Sequence, residues 1–301
     1  MSFLVNDVGH VQLNVVDVDA LVEEMTNILG LRVTRSDDQS VWLSAGGREV
    51  EMVLHRAQEN SVHSIGFEAP SVENIEIVKS RIEAAGCTIV SETPSLEACE
   101  AGVTYRTPEG HLFEVHSPIR EHIYGGRKPS TGPGPLQLDH VNILSPDPVA
   151  TVRQFEQIMG LRMSEKLAND SLTWMRGGNG LHHILGIVRG ITGLHHYSFE
   201  FGEFNDYNRL GDLLDTIEKN YIWGPGRHRP GDNNYAYYID ACGAMCEISH
   251  GMASIHDEAR YVPNIVTNLK RPDNVRDMNV WGEPAPKPWL EHEFPWAAQN
   301  G

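Results

Sequence analysis

Leu194-His195-His196-Tyr197-Ser198-Phe199-Glu200-Phe201 is the segment from which the rest of the chain can be interpreted. Aromatic residues are frequent in it, and neither Gly nor Pro interrupts it, so it predicts a β-strand. Side chains alternate across a strand, so we expect His195 on a packing face with the aromatic residues and His196 on the opposite face. His196 is therefore a candidate metal ligand, provided that other strands supply partners for it.

The composition is typical of a soluble globular protein with two domains of ordinary size. The 301 residues are 40% hydrophobic and 22% charged, and the formal net charge is -17. This charge argues against nucleic acid or an anionic membrane as a partner, because both favour an excess of Lys and Arg. No run is as long and apolar as a membrane span, and no signal peptide is visible. The cysteines lack zinc-site spacing and predict buried, reduced thiols, which favours a cytoplasmic protein. They are Cys87, Cys99, Cys242 and Cys246.

The second half of the chain repeats the first at a steady offset. The matching pairs are Ile28–Arg32 with Ile158–Arg162, His10 with His140, Phe67-Glu68 with Phe199-Glu200, and Glu114 with Glu247, at offsets of 130 to 133. Such regularity indicates duplicated domains. Each copy contains two units in which a strand and a helix precede further strands.

The repeat and the breaks in pattern predict the domain boundaries. We expect a first domain without metal over residues 1–123, a Gly- and Pro-rich linker over 124–135, and a second, catalytic domain over 136–255. Residues 256–301 predict an extended tail laid over a domain, as a candidate cover for the active site, with a loose tail as the alternative. A helix is predicted to begin after Asp147, with Pro148 at its first position, and to end at Gly160. Another is predicted near 205–219.

The duplication provides an internal control for the candidate metal site. The second-copy residues His140, His196 and Glu247 correspond to His10, Ser64 and Glu114 in the first copy. Two neutral imidazoles and one carboxylate on one side of a metal leave other positions open, an arrangement suited to Fe(II) and dioxygen. Because Ser64 replaces the middle histidine, we expect no three-ligand site in the first domain.

The chain resembles the type I extradiol catechol dioxygenases of the vicinal-oxygen-chelate superfamily. The resemblance rests on Leu138–Asn142, on Leu194–Glu200, and on a run from Gly224 to Glu247 that contains Gly224-Pro225-Gly226-Arg227-His228, Tyr237, Asp240 and Gly243. It covers nearly the whole chain, since the family has the same duplication, with metal only in the second copy. It implies an α+β fold of two tandem vicinal-oxygen-chelate domains, each of paired βαβββ modules forming a curved, mixed sheet.

The resemblance also implies roles for individual residues. The metal ligands would be His140, His196 and Glu247, binding Fe(II), with Mn(II) as the alternative. The catalytic residues would be His183, His228 and Tyr237, and Asn142 would contact the bound oxygen. A histidine near the metal suits proton transfer because it titrates near neutral pH. Each of these positions also has an ordinary structural interpretation. His228 could lie in an exposed loop, Tyr237 could pack in the core, and Asn142 could bond to nearby backbone. His182, the neighbour of His183, is expected at an exposed strand edge and without a catalytic role.

Family members that cleave carboxylate-bearing catechols carry arginines where this chain has Trp223 and Met278. Together with Trp174, these residues suggest an apolar or aryl-substituted catechol, such as a 2,3-dihydroxybiphenyl or an alkylcatechol. Ordinary core or lid packing is the alternative for each of the three.

The function implied is that of an extradiol dioxygenase, which inserts both atoms of O₂ into a catechol with meta ring cleavage during aromatic degradation. The expected partners are a catechol and O₂, and a homo-oligomer is expected. Two alternatives stay open. A glyoxalase-like isomerase or lyase of the same superfamily usually has four protein ligands, whereas three are placed here. A non-catalytic binding protein of the same fold would predict broken ligands.

Overall fold

The computed structural model describes residues 3–122, 132–267 and 278–298, and their strands form two mixed sheets. The first sheet has the order β2-β3-β4-β1-β5-β8-β7-β6. β1 pairs parallel with β4, β5 pairs parallel with β8, and β1 and β5 join the two halves antiparallel. The strands are β1 (Asp7–Val15), β2 (Arg32–Ser36), β3 (Ser40–Ser44), β4 (Met52–Arg56), β5 (Ser61–Glu68), β6 (Thr88–Ser91), β7 (Gly102–Arg106) and β8 (Leu112–His116).

The second sheet repeats this topology and adds strands to it. Its order is β17-β10-β11-β12-β9-β13-β16-β15-β14-β18, and β19 pairs with β13. The strands are β9 (Gln137–Ser145), β10 (Arg162–Leu167), β11 (Leu172–Arg176), β12 (Leu185–Arg189), β13 (Gly193–Glu200), β14 (Trp223–His228), β15 (Asn234–Ile239), β16 (Met245–His250), β17 (Asn264–Val266), β18 (Asn279–Trp281) and β19 (Phe294–Pro295). The predicted α+β fold of duplicated, paired βαβββ modules is confirmed. The exact domain boundaries stay a prediction, and linker residues 124–131 lie outside the described ranges.

The helix predicted between Asp147 and Gly160 begins and ends at the predicted residues. The Asp147 carboxylate accepts a hydrogen bond from the backbone N–H of Ala150, and the helix ends where Gly160 adopts a left-handed conformation with φ 69°. The helices are α1 (Val18–Glu24), continued by a π-helical turn (Met25–Leu29), α2 (Val72–Ile82), continued by a 3₁₀ turn (Glu83–Ala85), α3 (Pro148–Met159), α4 (Asp206–Asp215) and α5 (Lys287–Leu290). α4 is shorter than predicted, because the chain turns beyond Asp215 and reaches a positive φ of 58° at Glu218. No helix among the described residues has the length and apolar character needed to cross a membrane.

The described tail residues pack on both sheets. β19 pairs antiparallel with the start of β13, with Phe294 opposite Leu194. Trp296 forms a bridge to Val62 of β5, and the backbone N–H of Ala297 donates to the Val62 carbonyl at 2.8 Å. The tail therefore crosses from the second sheet to the first. Residues 268–277 and 299–301 of the predicted tail lie outside the described ranges.

Candidate metal centre and active site

The three predicted metal ligands come together on neighbouring strands in the middle of the second sheet. His140 lies on β9, His196 on β13 and Glu247 on β16. Their candidate donor atoms all lie within 4.8 Å of one another, and all three side chains are buried. Glu247 Oε2 is 3.0 Å from His140 Nε2 and 3.1 Å from His196 Nε2. Within residues 3–122, 132–267 and 278–298, no other group of three His, Cys, Asp or Glu side chains converges in this way.

The first copy retains only part of this arrangement. His10 Nε2 lies 3.3 Å from Glu114 Oε2. Glu114 also accepts hydrogen bonds from the backbone N–H and the hydroxyl of Ser95. Ser64 supplies a short hydroxyl where the second copy has the imidazole of His196, so the first copy offers two ligands of the set instead of three.

Hydrogen bonds orient the second-copy ligands. His140 Nδ1 lies 2.9 Å from Asp139 Oδ2, and a carboxylate can only accept, so Nδ1 carries the hydrogen and Nε2 faces Glu247. Asn233 Nδ2 donates to the other oxygen, Glu247 Oε1, at 3.3 Å. Carboxylate–histidine contacts of this kind fix the orientation of metal-binding imidazoles. Sequence reasoning missed Asp139 and Asn233, although Asp139 stands beside His140 in a quoted motif.

The charges in this group strongly perturb its titration. Burial alone would lower the pKa of His140, but Glu247 and Asp139 outweigh it and raise that pKa to about 10. Burial alone would raise the pKa of Glu247, yet His140 and His196 hold it well below its usual range. The buried carboxylates therefore favour a positive charge at the position that the two imidazoles share.

His183 lies against the metal ligand His140. Its ring centroid is 4.6 Å from that of His140. It precedes β12 and does not belong to a strand. The exposed-edge interpretation of His182 is wrong, because His182 is buried with Nδ1 3.0 Å from His183 Nδ1 and Nε2 3.6 Å from Glu165.

A hydrogen-bond chain fixes His228 and Tyr237. Asn279 Nδ2 donates to the carbonyl of Glu283 at 3.1 Å and to the Tyr235 hydroxyl at 2.7 Å, so its oxygen faces His228 Nδ1 at 3.1 Å. His228 Nδ1 therefore donates, and Nε2 accepts from the Tyr237 hydroxyl at 3.0 Å. His228 is the last residue of β14 and not part of an exposed loop. Asn279, which is fully buried, escaped sequence reasoning although the neighbouring Met278 was predicted to contact the substrate.

His183, His228 and Tyr237, which surround the metal ligands, are neutral near pH 7. Burial, reinforced by His140 and His182, holds the pKa of His183 well below its usual range. Burial lowers the pKa of His228 to about 4 against the opposing effect of Glu247. Burial and the Glu247 carboxylate hold the pKa of Tyr237 well above its usual range. Neutral imidazoles beside a buried hydroxyl can exchange protons with a bound molecule.

The pocket above the ligands has mainly apolar walls. Of the predicted substrate contacts, Asn142, Trp174 and Met278 line it. Trp223 does not, which corrects its predicted role: it stacks behind Tyr237 with ring centroids 5.4 Å apart and donates Nε1–H to the carbonyl of Glu283. Sequence reasoning missed Leu172, Pro230 and Trp289, which also line the pocket. Because Met278 and Trp289 belong to the tail, the tail forms part of the pocket wall.

Comparisons with known proteins agree with this fold and site. Residues 7–115 match the model of the Glyoxalase/Bleomycin resistance protein/Dioxygenase superfamily. The matched residues form the first sheet, and the second sheet repeats its topology, as predicted. The chain is 25% identical over 278 residues to the manganese-dependent 2,3-dihydroxybiphenyl 1,2-dioxygenase of Geobacillus genomosp. 3, covering 83% of this chain and 86% of that one.

Two solved structures share the whole architecture. The Mn(II)-bound glyoxalase from Novosphingobium aromaticivorans is 25% identical, with a TM-score of 0.84, and the match covers 98% of this chain and 96% of the other. Homoprotocatechuate 2,3-dioxygenase from Brevibacterium fuscum, in complex with 3,4-dihydroxyphenylacetate, is 18% identical with a TM-score of 0.84, covering 97% and 93%. The second likeness concerns the fold alone.

Proposed function

We propose that this chain is an extradiol dioxygenase that uses a divalent metal and O₂ to open the ring of a catechol beside its two hydroxyl groups. The observation that carries the proposal is the convergence of His140, His196 and Glu247 beneath a pocket that also presents His183 and Tyr237. The 2,3-dihydroxybiphenyl dioxygenase relative supports this reaction class.

The residues present fit a divalent metal. His196 Nε2 is buried and makes no hydrogen bond of acceptable geometry, although Glu247 Oε2 lies 3.1 Å away. No Lys or Arg of the described chain segments forms an ion pair with the buried Glu247 carboxylate. A buried carboxylate requires a compensating charge, and a His₂-carboxylate set with open positions is suited to Fe(II). We assign Fe(II), with Mn(II) as the alternative that the manganese-dependent relative and the Mn(II)-bound structure support.

A metal held by these three residues supplies a positive charge that lowers the pKa of a bound hydroxyl, and open positions for the diol and dioxygen. His183, neutral and adjacent to His140, accepts a proton from a substrate hydroxyl and returns it to a substrate oxygen. Tyr237 directs its own hydroxyl hydrogen to His228, which leaves the Tyr237 oxygen as an acceptor for the substrate. The surrounding apolar side chains exclude water from the reaction.

The pocket favours a catechol without a charged substituent. Its apolar lining includes Leu172, Trp174, Met278 and Trp289, and the described lining residues include no Lys or Arg that could pair with a substrate carboxylate. Aromatic and thioether walls bind an aryl or alkyl group through apolar contact. We therefore propose an aryl- or alkyl-substituted catechol as the substrate class.

Homo-oligomeric assembly stays a prediction, which light scattering in solution tests.

Ring cleavage is tested directly on the reconstituted protein. The apoprotein is loaded anaerobically with Fe(II) or Mn(II), mixed with 2,3-dihydroxybiphenyl, an alkylcatechol or 3,4-dihydroxyphenylacetate, and exposed to air. We expect O₂ uptake matched by a coloured ring-opened product, strongest with the uncharged substrates. His196→Ala should abolish product, whereas Ser64→Ala, at the matching first-copy position, should retain it. Absence of product from every catechol with both metals would refute the proposal.

A glyoxalase-like isomerase is the second candidate, favoured by the 25% identity to the Mn(II)-bound glyoxalase. Such an enzyme rearranges an adduct of an α-ketoaldehyde and a thiol and needs no dioxygen. Incubating the Mn(II)-loaded protein anaerobically with that adduct separates the two functions. Conversion of the adduct, with no O₂ uptake on catechols, would replace the dioxygenase by the isomerase.

A further inference from the structure

His195 does not occupy the packing face that simple alternation predicts. On the β9 side of β13, Leu194 pairs with Ile143 and His196 with the next residue, Asn142, so His195 is the extra residue of a β-bulge. A bulge redirects side chains and is frequent beside active sites. Here it brings His195 Nδ1 to 2.7 Å from Nδ1 of the ligand His196.

The partners of His195 determine where the hydrogens lie. Its Nε2 is 2.9 Å from the backbone carbonyl of Trp289, which can only accept, so Nε2 carries the hydrogen. In the neutral ring Nδ1 is then an acceptor, and it receives the hydrogen of His196 Nδ1. This leaves the lone pair of His196 on Nε2, the atom that faces Glu247. The chain Trp289–His195–His196 thus holds the ligand in the tautomer that binds a metal.

The carbonyl of Trp289 is itself fixed by the tail. Trp289 lies in α5, and its ring centroid is 4.6 Å from that of His195 and 4.7 Å from that of Trp223. Beyond it, β19 pairs with the residues that directly precede the bulge. Trp296 then packs on the first sheet, with its ring centroid 5.4 Å from that of Phe113. The hydrogen-bond acceptor for His195 is therefore held by contacts with both copies.

We propose that His195 is a positioning residue for the metal ligand His196, and that the docked tail segment 287–296 completes the metal site by holding the Trp289 carbonyl against His195. This inference rests on the metal-dependent function proposed above. It assigns the tail a role in metal retention in addition to forming part of the pocket wall.

The proposal is tested by Mn(II) titration of the full-length apoprotein with calorimetric detection. His195→Phe keeps a ring of similar size but removes both hydrogen bonds, and the Mn(II) dissociation constant should rise about 10- to 100-fold, the usual effect of losing an outer-shell partner. His195→Gln can still accept from His196 and donate to a carbonyl, so it should restore most of the affinity. A merely structural role would instead lower the apoprotein melting temperature and leave the metal affinity unchanged.

The chain offers a matched control in its first copy. His63 is the extra residue of the equivalent bulge, because Ser64 pairs with Gln12 and Val62 with Leu13. His63→Phe therefore makes the same chemical change beside Ser64, which replaces the third ligand. It should leave the Mn(II) dissociation constant unchanged.

A second variant tests the tail without altering the bulge. Trp296→Ala removes the packing that holds the tail on the first sheet, and it should weaken Mn(II) binding in the same direction as His195→Phe. Should His195→Phe fail to fold, this variant decides the question. Wild-type affinity in His195→Phe, or in Trp296→Ala if His195→Phe does not fold, would overturn the inference while leaving the proposed function intact. Failure of the wild-type protein to bind Mn(II) would overturn both.

Discussion

His111 is expected to make the folded protein sensitive to mild acid. Its Nε2–H donates to the carbonyl of Leu144 on β9 at 2.8 Å, and its Nδ1 lies 3.4 Å from the Thr107 hydroxyl. The ring is buried and packs edge-on against Trp296 with ring centroids 4.8 Å apart. His111 thus connects the first copy, the second copy and the tail. Its neutral form satisfies both ring nitrogens, whereas protonation would leave two donors facing the Thr107 hydroxyl and the Leu144 carbonyl.

The size of the effect follows from the pKa of His111. Burial lowers it from 6.5 to about 4, against weaker opposing effects of the Leu144 hydrogen bond and of Glu109. The unfolded chain therefore binds more protons than the folded one between these values, and the stabilising contribution is complete above pH 6.5 and is lost as the pH falls towards 4. Linkage gives a loss of about 2 kcal/mol in unfolding free energy between about pH 7.5 and about pH 5.

Urea unfolding of the apoprotein at these two pH values measures this loss. His111→Gln keeps a donor for the Leu144 carbonyl but cannot titrate, so its stability should fall by about 2 kcal/mol less than that of the wild type on acidification. His256→Gln, at an exposed position, is the control and should follow the wild type. Parallel acid losses in wild type and His111→Gln would refute the assignment of the pH sensitivity to this ring.

Other substitutions test the tail, the contact between the sheets and the pocket wall. Asn279→Leu removes three hydrogen bonds, including the one that orients His228, and should lower kcat on a catechol about 10-fold and stability by about 3 kcal/mol in urea unfolding. Glu51 accepts hydrogen bonds from the backbone N–H groups of Ala45 and Leu138, so Glu51→Gln should cost about 2 kcal/mol in the same measurement, with metal content unchanged. Trp174→Ala should raise KM for 2,3-dihydroxybiphenyl about 10-fold and leave that for unsubstituted catechol within about twofold, because only the aryl group loses its wall.

Sequence reasoning reached those features that local chemistry and the duplication specify. Asp147 and Gly160 mark helix ends through local capping, so α3 was predicted at its actual bounds. The three metal ligands could be proposed because the two copies can be aligned with each other. In that alignment Ser64 occupies the position of His196. The fold then buries His140, His196 and Glu247 and brings them together on three neighbouring strands.

The features that were missed depend on contacts between distant parts of the chain. Alternation placed His195 on a packing face because a bulge leaves no signature in the residues of one strand. Asn279 and Trp289 reach the site only through docking of the tail, whose pairing partners are remote in sequence. Trp223 was predicted to line the pocket from its position directly before the Gly-Pro-Gly turn. That position does not reveal that the Tyr237 ring lies between Trp223 and the pocket.

The docking of residues 287–296 across both sheets has a consequence for biosynthesis. The strands that carry His140, His196 and Glu247 leave the ribosome before α5 and β19 do, because the chain emerges from its N-terminus onwards. The strands of the nascent second copy are therefore exposed before the tail can dock and bring the Trp289 carbonyl to His195. Iron or manganese captured at that stage would be held by an incompletely ordered site, so stable loading is expected to follow translation of the tail.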